Sequence, residues 1–256
     1  MNAPPDVRLE VLACPRCFGA LELFGRWLQC VRCRAPFEVR AGVPDLLPWS
    51  GGAPGPEWTQ WREKLGLLQQ WRRDTWDGTE AAQERQEVAD TMAGRFFEFA
   101  RIPGGRVLEI GCGSAQLRRY LPGRDYWGVD PLADAGGPAR EGPCGATSFA
   151  LVKGVGEKLP FAEGAFDAVL LCETLDHALD PRRVLREARR VLADEGILAV
   201  LQSVRDRAPR PPLRVRLRVL AGKTKGRLLG RRSRVEDVRT KMRLLRPDDV
   251  PSLVRA

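Results

Sequence analysis

Val107-Leu108-Glu109-Ile110-Gly111-Cys112-Gly113-Ser114-Ala115 is the stretch from which the rest of the chain is read. It is an apolar strand, an acid, and then a glycine turn leading into a helix. Such a turn needs small residues so that the backbone can approach a ligand at the carboxyl edge of a sheet. A Gly-x-Gly turn alone is weak, since a nucleotide dehydrogenase uses one too. Some twenty residues on, Trp127-Gly128-Val129-Asp130 is a second strand ending in an acid. An acid placed there can accept hydrogen bonds from both hydroxyls of a ribose.

Outward from these two strands the chain alternates between strand and helix. Strands are expected at 106–110, 126–130, 148–152, 166–172 and 196–203. The clearest helix, 181–193, begins with Asp180 as N-cap and Pro181 in its first turn. Val184, Leu185, Ala188, Val191 and Leu192 form its buried stripe, and Glu195-Gly196 ends it and opens the next strand. This alternation predicts an α/β fold with a mainly parallel sheet covered on both faces. Upstream, 57–101 reads as helical, with a Trp-rich part (Trp58, Trp61, Trp71, Trp76) and an amphipathic run from Thr79. Val88, Met92 and Phe96 recur there at helical spacing, and Phe97, Phe99 and Ala100 widen the stripe. No internal repeat is visible.

Two further elements follow in order: Gly154-Val155-Gly156-Glu157-Lys158-Leu159-Pro160-Phe161, then Gly164-Ala165-Phe166-Asp167-Ala168-Val169-Leu170-Leu171-Cys172. The series acid-Gly-x-Gly, acid, Glu-x-Leu-Pro-Phe, Phe-Asp-x-Val resembles the class I S-adenosylmethionine (SAM)-dependent methyltransferases of the type 11-like group. That group methylates quinones, lipids, small metabolites and some RNAs. The resemblance spans residues 105–203 and implies a Rossmann-like fold. It implies that Glu109 and the backbone at Gly111 and Gly113 hold the methionine part of SAM, and that Asp130 binds the ribose. Gly156 and Glu157 would lie near the adenine, and Cys172 would face cofactor and substrate. His177, the single histidine, stands in Glu173-Thr174-Leu175-Asp176-His177-Ala178-Leu179-Asp180-Pro181. This resembles a His-x-x-Asp-Pro stretch of the same group. His177 is read either as a general base for an O or N nucleophile or as a residue that ties down the loop. SAM carries a good leaving group, so positioning of the nucleophile can supply most of the rate.

Cys14-Pro15-Arg16-Cys17 and, twelve residues later, Cys30-Val31-Arg32-Cys33 form two Cys-x-x-Cys pairs. At this spacing four thiolates can surround one structural Zn2+, closing it to substrate. Zinc suits a module too small to have its own core. The run from Leu12 through Phe37-Glu38-Val39-Arg40-Ala41-Gly42-Val43-Pro44-Asp45-Leu46-Leu47 resembles the zinc-ribbon activator subunit of tRNA, rRNA and release-factor methyltransferases. In that family the ribbon serves as a partner-binding and stabilising module. The expected organisation is a zinc ribbon at 9–48, a linker and N-terminal helices at 49–104, a SAM-binding core at 105–204, and a basic helical segment at 205–256. The methyltransferase resemblance implies a last antiparallel strand pair after the fifth strand, and that pair is expected to be missing here.

With 256 residues the chain has room for one α/β domain and a small extra module. No apolar run approaches the length of a bilayer span, and residues 1–6 lack the features of a secretory signal, so a cytoplasmic location is expected. Seven cysteines, four of them paired, argue for metal rather than a disulfide framework. The +9 formal charge is concentrated from Arg205 onward, where seventeen Lys and Arg face five Asp and Glu. That segment reads as a surface for an anionic partner (nucleic acid, an anionic membrane or an acidic substrate) or as a solubilising face. The expected function is methyl transfer from SAM to an O or N nucleophile of a small metabolite, lipid or RNA. The alternative is a non-catalytic SAM-binding or partner protein acting through its zinc ribbon.

Overall fold

The computed structural model describes residues 7–50, 52, 55–75, 80–133, 148–204 and 239–245. The first four strands, β1 (Leu21–Phe24), β2 (Trp27–Cys30), β3 (Pro36–Arg40) and β4 (Val43–Pro44), make an antiparallel meander in chain order. Two helices follow, α1 (Pro56–Thr75) and α2 (Glu80–Ala100). Next come β5 (Arg106–Ile110), a 3₁₀ turn (Gln116–Tyr120), β6 (Asp125–Asp130), β7 (Ser148–Lys153), β8 (Phe166–Cys172), α3 (Pro181–Val191), β9 (Leu192–Val204) and β10 (Arg239–Leu245). Pairings β5–β6, β6–β7, β5–β8 and β8–β9 are all parallel. The sheet order is β10-β9-β8-β5-β6-β7, so the chain leaves β5 toward one side and returns on the other. The carboxyl edge between β5 and β8 is therefore a topological switch point, where ligands of open α/β sheets bind.

The sheet separates two cores. On one face Leu108, Ile110, Trp127, Val129, Val169 and Leu171 meet the α3 stripe Val184, Leu185, Ala188 and Val191. The same cluster takes in Leu12, Leu28, Phe37 and Leu46 of the ribbon. On the other face Val107, Tyr126, Ala168, Leu170 and Ala199 meet Phe96 and Ala100 of α2. The alternation Val107/Leu108 is the two-residue period of a strand buried on both sides. Phe161, Phe166 and Trp127 pack edge to face beneath the ribbon, with Phe161 and Phe166 centroids 5.1 Å apart.

The ribbon is bound to the sheet by backbone as well as by side chains. Ala13 N donates to Pro160 O at 2.9 Å and Ala162 N to Val11 O at 2.8 Å. Leu46 N donates to Lys153 O at 2.8 Å, and Asp45 pairs with Lys153 at 3.1 Å. The Arg8 guanidinium pairs with Asp125 and lies 4.6 Å from the centre of the Trp127 ring. Trp49, within the expected linker, packs on Trp58, and Trp58 and Trp61 bury with Leu47 and Val155.

Several expectations need correction. The sheet does not stop at its fifth strand: β10 occupies the edge beside β9, in a segment expected to be helical. Arg239-Thr240-Lys241-Met242-Arg243-Leu244 alternates charged and uncharged residues, a strand period that the overall basic character of the segment conceals. The other residues after 204, with the amphipathic stretch near 213–232, lie outside the described residues. Helix α3 ends at Val191, not 193, because Leu192 already pairs with Phe166. The chain then bulges before Ile197 pairs with Ala168. A Cβ on Gly196 would come within 2.6 Å of the Leu192 side chain and 3.0 Å of Ala193 O, so the bulge requires glycine. A short 3₁₀ turn stands where a helix was expected after the glycine turn, entered through Ala115 in the left-handed region at φ 54°. Phe99 is 45% exposed rather than in the α2 stripe, and the Trp71, Trp76 and Val88 side chains lie outside the described residues. Residues Gln202–Lys241 cluster as a second compact unit, of which the described part is the end of β9 and the start of β10.

Candidate functional site

The carboxyl ends of β5, β6 and β8 bring Glu109, Gly111, Gly113, Asp130 and Cys172 to one edge of the sheet. Glu109 is 3% exposed, and Tyr126 Oη donates to its Oε2 at 2.6 Å. Burial pushes its carboxyl up to about 8; the nearby Asp130 adds to this and the Tyr126 bond opposes it. Asp130 ties down the glycine turn: Gly113 N donates to its Oδ2 at 2.9 Å and Leu132 N to its Oδ1 at 2.7 Å. Burial pushes the Cys172 thiol well above its ordinary range, and Glu109 and Glu173 add to it, so the thiol stays neutral.

The glycines have distinct reasons. Gly111 (φ 74°) lies under Thr174, whose Oγ1 would stand 2.5 Å from a Cβ there. Among the described residues, nothing lies within 4 Å of a Cβ on Gly113 (φ 52°). Gly156 is a packing position: a Cβ would meet Ile110 Cγ2 at 3.0 Å and Val184 at 3.2 Å.

Glu157 is 7% exposed and its Oε1 accepts Leu179 N at 2.9 Å, joining the turn after β7 to the loop after β8. That loop carries His177. The His177 backbone N donates to Thr174 O at 3.0 Å, its side chain is 41% exposed, and Nε2 stands 4.0 Å from Asp176 Oδ2. Asp180 caps α3 by accepting from Arg182 N and Arg183 N, as its sequence position predicts. Lys64 of α1 donates to Ala178 O at 3.3 Å, so the helix reaches the same loop.

Sequence reading missed Tyr126, Thr174 and the pair Glu187–Arg190. Tyr126 stands on β6 opposite Val107, the face that carries Glu109, and only the register reveals it. Thr174 Oγ1 lies 3.0 Å from Ile110 O and 2.9 Å from Cys172 O, bracing the switch point with its one proton. Nothing in the sequence marks it.

The four thiols Cys14, Cys17, Cys30 and Cys33 all lie within 4.8 Å of one another. Cys14 and Cys33 sulfurs are 3.6 Å apart and Cys17 and Cys30 3.5 Å, near the roughly 3.8 Å edge of a tetrahedron with Zn–S bonds of about 2.3 Å. The two knuckles repeat one backbone pattern. Phe18 N donates to Cys14 O and Arg34 N to Cys30 O, and both residues are left-handed, at φ 59° and 61°. Arg16 N and Cys33 N point at the Cys14 and Cys30 sulfurs at 3.4 Å. A Cβ on Gly19 would stand 2.7 Å from Arg32 Cβ, 3.1 Å from Cys30 Sγ and 3.4 Å from Cys17 Sγ, so this glycine lets the second knuckle and its thiols close in. The donor set and its backbone support fit a closed structural zinc.

Residues 108–200 match a family described as a methyltransferase domain. Over 93 residues the chain is 39% identical to an uncharacterized protein of Mycobacterium tuberculosis, covering 36% of this chain and 30% of that protein. It is 36% identical over 104 residues to an uncharacterized methyltransferase of Synechocystis, covering 39% and 47%. The chain thus spans less than half the length of these curated relatives. Among solved structures, a chain of the complex between the Haloferax volcanii Trm112 methyltransferase activator and a methyltransferase is similar at 23% identity and TM-score 0.42, covering 50% of this chain and 59% of that one. No helix among the described residues is long and apolar enough to cross a membrane.

Proposed function

We infer that this chain, which carries a class I SAM-dependent methyltransferase domain behind an N-terminal ribbon of zinc-ligand character, transfers a methyl group from SAM to an O or N nucleophile of a small metabolite, a lipid or an RNA. The observation that carries this reading is the buried Glu109 beside Asp130 at the switch point, next to the glycine turn at Gly113. A carboxyl held neutral by burial regains its charge when a cation binds next to it. SAM supplies that cation, and with it a methyl group on a sulfonium.

Glu109 and the glycine turn bind the methionine end in this reading. Asp130 fixes the turn and accepts from the ribose hydroxyls at the end of β6. Gly156 brings the β7 turn close to the site, and Glu157 joins it to the β8 loop. Neutral Cys172 contributes an apolar wall. His177, on the loop after β8 with a partly exposed side chain, acts as the general base in this reading. A closed zinc cluster holds the ribbon, and a cytoplasmic setting suits its thiols. The basic segment after 204 is the proposed contact for an anionic acceptor or surface.

Calorimetric titration with SAM tests the reading, followed by screening RNA and metabolite extracts for methyl acceptors. Saturable binding that His177→Ala leaves intact, with transfer reduced, supports it. A folded, zinc-loaded protein that does not bind SAM would sink it.

A further inference from the structure

The Glu157–Phe161 turn is gripped from behind by a pair on α3 that the site does not include. Arg190 Nη1 donates to Phe161 O at 2.7 Å and Nη2 to Leu159 O at 3.0 Å. The same guanidinium pairs with Glu187, at 2.8 Å from Nε to Oε1 and 2.7 Å from Nη2 to Oε2. Glu187 Oε2 in turn accepts Leu159 N at 2.8 Å. Together the two side chains satisfy both backbone groups of Leu159 and the carbonyl of Phe161. A planar guanidinium does this with a geometry that an ammonium does not reproduce.

The outer face of this clip is covered by the first zinc knuckle. The Arg190 guanidinium lies 4.2 Å from the centre of the Phe18 ring. Phe18 is the left-handed residue directly after Cys17. On the other side of the turn, Lys158 Nζ donates to Arg16 O at 3.2 Å and stands 5.6 Å from the same ring. Phe18 is 43% exposed, so hydrophobic burial alone does not account for its place; its ring serves as a stacking surface for two cations. Ahead of the knuckle, Ala162 N donates to Val11 O and Ala13 N to Pro160 O.

We propose that Phe18 and Arg190 are positioning residues through which the zinc knuckle sets the conformation of the Glu157–Phe161 turn, and so the affinity for the cofactor. Both act through the Leu159 and Phe161 backbone. The proposal rests on the SAM reading for its effect on affinity, and on geometry alone for its effect on the turn.

The test uses the full zinc-loaded chain with Phe18→Leu, Phe18→Trp, Arg190→Lys and, as a control on the same ribbon, Phe24→Ala. Phe24 is 56% exposed at the β1–β2 hairpin. Hydrogen exchange of the Leu159 amide is followed with zinc content and SAM affinity. Phe18→Leu is expected to weaken SAM binding about three- to fivefold, the scale of an exposed cation–π contact. Arg190→Lys is expected to weaken it about tenfold, the scale of one hydrogen bond to a charged group. Both should speed Leu159 exchange at unchanged zinc content, while Phe18→Trp, which keeps a ring face, stays near wild type. If Arg190→Lys does not fold, Phe18→Leu carries the test alone. Unchanged Leu159 exchange in Phe18→Leu, or an equal effect of Phe24→Ala, overturns the proposal. Loss of SAM binding in the wild type with Leu159 exchange still faster in Phe18→Leu overturns the SAM reading and leaves the zinc-to-turn link standing.

Discussion

Glu109 is where a single residue has the largest measurable consequence. Its carboxyl titrates at about 8 in the folded chain against an ordinary 4.5, because burial outweighs the Tyr126 bond. The folded state therefore holds a proton that the unfolded state releases, so this group's contribution is largest at acid pH. Stability declines as pH rises from 4.5 toward 8, with a limiting slope of about 1.4 kcal/mol per pH unit. Denaturant midpoints across that window should fall in the wild type and lie flatter in Glu109→Gln. Cofactor binding near neutral pH should likewise release a proton, seen as a dependence of binding heat on buffer ionisation enthalpy; no dependence would mean that Glu109 does not meet a cation. Asp130→Ala frees both Gly113 N and Leu132 N, and SAM binding is expected to weaken about a hundredfold, as two charge-assisted hydrogen bonds to the turn are lost.

At the scale of elements, α3 is held at both ends by features visible before folding. Asp180 accepts two amide hydrogens at its start, and Gly196 permits the bulge after its end. Asp180→Ala should lower stability by about 1 kcal/mol, read as a small fall in melting temperature with SAM affinity retained. The ribbon behaves differently, because its knuckles are closed turns around thiols rather than a packed element. Replacing Cys30 by Ser should release zinc and lower the melting temperature of the whole chain, since Cys30, Leu28 and Phe37 belong to the same core as Leu108 and Val169. Two separate thermal transitions would contradict that shared core.

Across the molecule, one sheet face depends on the ribbon for its cover. Trp127, Val152 and Phe161 are each no more than 1% exposed, and Leu12, Leu28, Phe37 and Leu46 complete the cluster that contains them. A chain lacking the first 48 residues should expose this surface, bind a hydrophobic dye and aggregate at concentrations where the full chain is monodisperse. A well-behaved shortened chain would mean that the ribbon is an appendage. Chelation of zinc should produce a milder form of the same change, followed through tryptophan fluorescence.

Local patterns sufficed for much of this. The strands at β5, β6, β7 and β8, the Asp180 cap, the two Cys-x-x-Cys knuckles and the acid at the end of β6 were legible because each depends on neighbours a few residues away: a two-residue period, a capping side chain, a ligand spacing. The positions of Tyr126 and Thr174 and the Glu187–Arg190 clip were not, nor was the stacking of Phe18 on that clip, because each joins residues far apart in sequence. β10 was hidden for another reason: its alternating pattern sits in a segment whose composition points elsewhere. The sequence by itself determined the parallel α/β core and its acid-and-glycine edge, since periodicity and turn chemistry are local. Only the tertiary structure decided that the four-cysteine ribbon lies against the β7 edge and the Leu-Pro-Phe turn, because that docking is a match of two surfaces with no signature in either segment alone.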